Sequence, residues 1–186
     1  MIKKHKFKKL KTERMVLKPV VATYSFANKL FKTLSTNKDF YKYLSWAFYF
    51  KNPEQLFAFL KGAENCWKDL SRATYSMHIR KDNNFVGILG VFNIDWFEEI
   101  CEIGYWLNPQ YKNQGFMSEA VKTVSKNFFN MGFKRIVIKA NPKNIASCKV
   151  AEKCGFKREG ILRSYDFLPT LNKREDIALY AKIKEK

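Results

Sequence analysis

The sequence predicts a single α/β (α+β) domain: one mixed central sheet of about six or seven strands, flanked by about four helices. Three observations predict it. The 186 residues fit one domain, and a chain of that length buries about 70% of the surface its unfolded form exposes, so it needs no staples. Stretches with helical spacing are interleaved with short apolar or alternating runs, without the strict alternation of a doubly wound fold. No repeat and no Pro- or Gly-rich linker divides the chain. The expected organisation is a basic tail over residues 1–11 and one domain over 12–186.

Each element has its own signal. Arg14-Met-Val-Leu-Lys18 reads as a short strand. From Val21 to Leu34, and again from Pro53 to about Ser71, apolar residues recur at helical spacing. In the second stretch Leu56, Phe57, Leu60 and Trp67 mark the buried stripe, and Pro53 suits a first helical turn. Between them Tyr41, Tyr43, Trp46, Phe48, Tyr49 and Phe50 form an aromatic segment, either core or the wall of a substrate groove, with core the expected role. Thr74–Arg80, the turn residues Asp82-Asn83-Asn84 and Phe85–Phe92 form a hairpin. Ile100–Leu107 is a further strand, ended by Asn108-Pro109. A helix over about 115–130 follows. Arg135-Ile-Val-Ile-Lys139 has the continuous apolar form of a buried strand. A helix over Asn144–Lys153 stops at Cys154-Gly155, and strands around Phe156–Arg163 and Asp176–Lys182 close the chain.

Composition narrows the function. Hydrophobic residues make up 46% and charged residues 28%, which fits a globular chain and excludes collagen-like, disordered and small disulfide-stapled classes. No apolar run approaches the ~20 residues of a membrane span, so no membrane partner is expected. The start has basic residues with no apolar stretch behind them, so the expected location is the cytoplasm. The net charge is +18, and removing the six lysines of the first eleven residues still leaves +12. Such a surplus attracts phosphorylated cofactors, acidic proteins or RNA, unless it is compositional drift spread over solvated positions. Cys66, Cys101, Cys148 and Cys154 show no zinc spacing, and with only His5 and His78 available no metal is expected. The aromatic content of 16% leaves room for a homodimer surface, although cores use aromatics too.

The informative stretch runs from Glu102 to Ala120. A strand leads into a turn that delivers Gly115 at the mouth of a helix. The first turn of a helix offers unpaired N–H groups and partial positive charge, which suits a phosphate. Gly115 lets the backbone approach an anion without a Cβ in the way, and Lys112 adds charge beside it. Three segments in order carry a resemblance. They are Glu102–Trp106 with Asn108-Pro109; Lys112-Asn-Gln-Gly-Phe-Met117; and Asn141-Pro-Lys-Asn-Ile-Ala-Ser147, continuing to Glu152-Lys-Cys-Gly-Phe156 and Glu159-Gly-Ile-Leu-Arg163. Together with Thr12–Pro19 they make the chain similar to the GNAT superfamily of N-acetyltransferases, in its RimJ/RimL-like branch of ribosomal-protein N-terminal acetyltransferases.

That resemblance implies a GNAT-like sheet and transfer of an acetyl group from acetyl-CoA directly to a primary amine, with a ribosomal protein as the expected acceptor; the basic tail and surplus charge would then give electrostatic contact with RNA. It implies that the backbone of Trp106, Leu107 and Asn108 holds the pantetheine arm between two splayed strands. Lys112, Asn113, Gln114, Gly115, Phe116, Met117 and Ser118 would hold the pyrophosphate. Asn144 and Ser147 would bond the pantetheine, and Lys153 would lie near the nucleotide. Met117 departs from the small residue usual at its position, and Lys112 keeps charge but not an arginine fork. Asn144 could instead cap its helix, and Ser147 and Lys153 could be plain surface residues. An ammonium is not nucleophilic at neutral pH, so a base is needed. Glu102 is the leading candidate and Asp166 the second, against structural readings as a lysine-paired carboxylate and a turn residue. Tyr165 and Tyr180 are candidate acids. Alternative readings are acetylation of a small amine (an antibiotic, polyamine or amino acid) and a basic RNA-binding module that keeps the fold.

Overall fold

The computed structural model describes residues 5–36 and 43–185. The strands are β1 (Leu10–Lys11), β2 (Met15–Pro19), β3 (Ala73–Ile79), β4 (Phe85–Asp95), β5 (Ile100–Leu107), β6 (Arg135–Ala140), β7 (Lys157–Leu168) and β8 (Lys173–Ile183). The helices are α1 (Tyr24–Ser35), α2 (Pro53–Asp69), α3 (Phe116–Asn130) and α4 (Ile145–Lys153), with 3-10 turns at Ser45–Tyr49 and Pro109–Tyr111. All eight strands form one sheet in the order β1-β2-β3-β4-β5-β6-β8-β7.

Local chemistry sets the helix starts. Thr23 accepts the amide of Phe26 ahead of α1, and Asn52 accepts that of Gln55 ahead of Pro53 in α2. α2 stops two residues short of Ser71, because Leu70 turns left-handed at φ 64° and carries the chain into β3. Helices α1 and α2 bury Leu30, Leu34, Leu56 and Leu60 with Phe85, Ile88 and Trp106 of the sheet. Helix α3 sets Val121, Val124 and Phe128 against Leu89, Ile103 and Ile136 in the larger cluster.

The structure adds to the sequence reading toward both ends of the chain. The sheet has eight strands, not six or seven, because Leu10–Lys11 pairs with Val16–Leu17 as an extra edge. Within the stretch expected as a basic tail, Phe7 and Leu10 are each only 7% exposed, and Phe7 packs on Trp67, Trp96 and Phe128. Burying an aromatic ring is worth roughly 2–3 kcal/mol, enough to hold a lysine-rich strand in place. Likewise β7 continues to Leu168 past a register shift near Ser164, so Asp166 stands in a strand opposite Glu175, not in a turn.

The feature that positions the site is a divergence. Strands β5 and β6 run parallel and pair only at Ile100 with Arg135, Cys101 with Ile136 and Glu102 with Val137. Beyond that point β5 stays bonded to β4 as far as Leu107, and β6 to β8 as far as Ala140. A crevice therefore opens in the middle of the sheet immediately after Glu102.

Candidate active site

Two cavities meet at this crevice. One, of about 510 Å³, includes Arg72, Phe92, Asn93, Glu102, Lys139 and Asp166 in its lining. The other, of about 400 Å³, runs between β5, the turn before α3 and the start of α4. Tyr43, Leu44, Tyr105, Trp106, Asn144 and Ser147 border both. A molecule threaded through the gap would thus reach a pocket on each side.

At the α3 end, Asn113 and Gly115 take left-handed φ values of 62° and 79°, which turns successive amides toward one side. The first turn of α3 leaves amides without helical acceptors. Phe116 and Met117 are both buried in the larger core cluster, and Met117 also borders the groove. Arg14 braces the turn from β2's approach: its Nε donates to Glu119 at 2.7 Å, Nη1 donates to the Gln114 carbonyl at 2.9 Å, and it stacks over Phe116. The residues present fit a diphosphate: free amides, a backbone that needs no Cβ, and Lys112 and Lys143 on the groove wall.

At the apex of the divergence, the side chain of Glu102 is only 12% exposed. One carboxylate oxygen lies 3.0 Å from Lys139 Nζ and accepts from Asn93 Nδ2 at 3.1 Å. Lys139 also donates to the Tyr165 hydroxyl at 2.9 Å. Burial alone would pull the Lys139 ammonium down, but its bonds to Tyr165 and Glu102 outweigh that and hold it above its ordinary value. The reading of Glu102 as a lysine-paired carboxylate and its reading as a base are compatible here, since the pair stands on the cleft wall.

Trp106, Leu107, Lys112, Met117, Asn144 and Ser147 all line the smaller groove. Asn113, Gln114, Gly115, Phe116 and Ser118 form the turn and helix start beside it. Asn108 donates its amide to Val86 and begins the 3-10 turn, at the end of β5. Asn144 caps α4 by accepting the Ser147 amide at 3.2 Å, and the Ser147 hydroxyl faces that of Tyr105 at 3.2 Å, so both have protein partners already. Lys153 ends α4, exposed and outside both cavities. Glu102, Asp166 and Tyr165 share the larger cleft. Tyr180 does not reach it: that buried hydroxyl bonds Glu152 at 3.3 Å. Of the aromatic segment, Tyr41 and the side chain of Trp46 lie outside the described residues. Tyr43 and Leu44 line the cleft, while Phe50 packs on Phe59.

Sequence reasoning missed Tyr105 and Arg72. Tyr105 lies inside the quoted Glu102–Trp106 run, yet only the contact with Ser147, 42 residues away in the chain, singles it out. Burial pushes the Tyr105 phenol far upward, so it stays protonated through the neutral range.

Residues 14–157 match the acetyltransferase (GNAT) domain. The chain is 33% identical over 106 residues to the ribosomal-protein-serine acetyltransferase of Escherichia coli (strain K12), covering 56% of this chain and 58% of that protein. It is 26% identical over 144 residues to the putative ribosomal N-acetyltransferase YdaF of Bacillus subtilis (strain 168), covering 75% and 76%. The chain spans little more than half the length of the first two curated relatives, 58% and 52%. Among solved structures, a RimL ribosomal L7/L12 α-N-protein acetyltransferase in complex with coenzyme A superposes with a TM-score of 0.85 at 24% identity, over 95% of this chain and 98% of that one. A microcin C7 self-immunity acetyltransferase in complex with acetyl-CoA and AMP gives 0.83 at 23%, over 92% and 93%. These two likenesses carry the fold. The family match covers well over half of the sequence, and the chain belongs to the GNAT acetyltransferase family, a class of acyltransferase.

Proposed function

We propose that this protein transfers the acetyl group of acetyl-CoA directly to a primary amine, and that the acceptor is a protein N-terminal α-amine of the ribosomal-protein type. The observation that carries the reading is the divergence of β5 and β6 right after Glu102, with an anion-binding helix start at one mouth and a carboxylate-bearing cleft at the other. The names of the relatives, a ribosomal-protein-serine acetyltransferase among them, support the choice of acceptor.

In this reading the amides of Gly115–Ser118, with Lys112, hold the pyrophosphate, and the facing backbones of β5 and β6 hold the arm. Acetyl-CoA supplies an activated acyl carbon, so that a C–N bond forms as the C–S bond breaks and the free thiol is released. Glu102 takes one proton from the incoming ammonium, directly or through a water, and Asp166 in the same cleft is the second candidate. A further nitrogen proton balances the departing sulfur. The paired hydroxyls of Tyr105 and Ser147 stand where the cavities join and can present an O–H to that sulfur. Cys148 and Cys154 are buried and line neither cavity, and burial pushes the Cys154 thiol up, which favours direct transfer over an acetyl-cysteine.

Calorimetry with acetyl-CoA, followed by mass spectrometry of peptides beginning with Ser, Ala or Thr, tests the proposal. The expected result is acetyl-CoA binding and a +42 Da α-amine product, roughly the mass of one acetyl group replacing hydrogen. Binding of RNA but not of acetyl-CoA would overturn it. Acetylation of polyamines or antibiotics alone would retain the enzyme and remove the protein acceptor.

A further inference from the structure

The larger cleft holds a cation that the chemistry above does not use. Arg72 lies at the turn between α2 and β3, where its amide donates to the Cys66 carbonyl at 3.2 Å. Its guanidinium sits 5.5 Å from the centre of the Phe92 ring and 6.0 Å from that of Phe59. Among the described residues no carboxylate pairs with it, whereas Lys139 in the same cleft is paired with Glu102. An arginine supported on ring faces is oriented yet keeps its N–H edge available, and that edge matches a carboxylate bidentately.

The sheet register measures the distance from Arg72 to the base. Arg72 directly precedes Ala73, which faces Val91, and Phe92 faces Glu102. Arg72, Phe92 and Glu102 thus follow one another across three neighbouring strands, about 4.8 Å apart, so the first and last backbones are about 10 Å apart. Directly opposed residues share a face of the sheet. The Phe92 ring fills the interval by lying across Gly104, where an added Cβ would stand 2.9 Å from a ring carbon. An extended peptide advances about 3.3 Å per residue. A chain with its amine at Glu102 therefore brings its second or third side chain to Arg72.

We propose that Arg72 is a specificity-determining residue that recognises a carboxylate on the acceptor, and that the acceptor class is an acidic N-terminal peptide with Asp or Glu at its second or third position. The inference rests on the N-terminal acetylation reading and deepens it. The net charge of +18 works in the same direction, by drawing anionic chains toward the protein.

The test compares kcat/KM for serine-initiated tetrapeptide amides with Glu, Gln or Lys at position 2 or 3, at fixed ionic strength. For the unaltered protein the Glu peptide should exceed the Gln peptide about tenfold or more, the factor that a charge-assisted hydrogen bond commands. In Arg72→Met that ratio should fall to about one, and in Arg72→Glu the order should invert toward the Lys peptide. Thermal melting and acetyl-CoA calorimetry verify that each variant is folded. Equal rates for all peptides, or a preference that survives Arg72→Met, would overturn the Arg72 assignment and leave N-terminal acetylation standing. Acetyl-CoA binding with no peptide acetylated would overturn both.

Discussion

Gly115 is the position where the proposed cofactor site depends most directly on backbone conformation. At φ 79° it lies in the left-handed region, which costs an ordinary L-residue roughly 1–2 kcal/mol. Space is not the obstacle: an added Cβ would meet only Arg14 Nη2 at 3.5 Å, an ordinary contact. A substitution must therefore act through strain. If the strained conformation is kept, the fold loses that ~1–2 kcal/mol, which in a chain of this size lowers Tm by about 2–8 °C. If the turn relaxes, acetyl-CoA must restore it on binding, and Kd rises about 5- to 30-fold. Gly115→Val, with a β-branched side chain, should show the larger combined effect, and Gly115→Asn, whose side chain tolerates the left-handed region, should restore most of both. Differential scanning calorimetry and titration of acetyl-CoA separate the two losses. Unchanged Tm and Kd in Gly115→Val would refute the coupling. Equal losses in the Asn and Val variants would show that any side chain is excluded, whatever its backbone preference.

Three further outcomes follow from the site and its ion pairs. Glu102→Gln should lower kcat about 10²- to 10⁴-fold while leaving the acetyl-CoA Kd nearly constant; unchanged turnover between pH 6 and 9 would remove Glu102 from the base role. Tyr105→Phe should lower kcat about tenfold or more by the same factor at every pH from 6 to 9, because burial holds the phenol protonated throughout; a loss confined to one end of the range would contradict this. Glu175, held at about 2 by hydrogen bonds from Lys143 and Lys173, has a depressed folded pKa, so its contribution to stability is present above about 4.5 and is lost as pH falls toward 2. The urea midpoint should drop over that window, and Glu175→Gln should flatten the drop; parallel curves would argue against the linkage.

How far the sequence carried these conclusions depended on where each signal resided. Helix starts at Asn52-Pro53 and Gly115, and the strand over 100–107, were legible because cap, breaker and period sit within a few residues. Strand β1 was not, because two ladder residues among lysines show no period, and the burial of Phe7 depends on Trp67, Trp96 and Phe128, 60 or more residues away. The end of β7 escaped because its exposed face lacks alternation and Ser164 breaks the register. At the site, motif order pointed to Glu102 and the 112–118 turn. It could not reveal the Tyr105–Ser147 contact or the alignment of Arg72 with Glu102, since each depends on strands or helices meeting across a cavity.

In the proposed reading, the divergence lets one strand serve both halves of the reaction. Backbone N–H and C=O groups must be paired or solvated, and a gap within a sheet leaves two facing edges unsatisfied by one another. Beyond Glu102, β5 faces the gap with residues 103–107 and β6 with 138–140, while their outer edges remain bonded to β4 and β8. Both walls are thus fixed from behind, so the opening is a rigid slot and not a frayed edge. Water can satisfy such a slot, and so can a narrow, amide-bearing chain, which takes up both edges at once without closing it. Because the last β5–β6 pair is at Glu102, the end of that slot and the carboxylate are set by the same residue. Moving the point of divergence by one pair would put Cys101 or Ile103, whose side chains project on the other face, at the apex in place of Glu102. In the proposed reading the register of three residue pairs, more than any single side chain, places the carboxylate at the end of the slot.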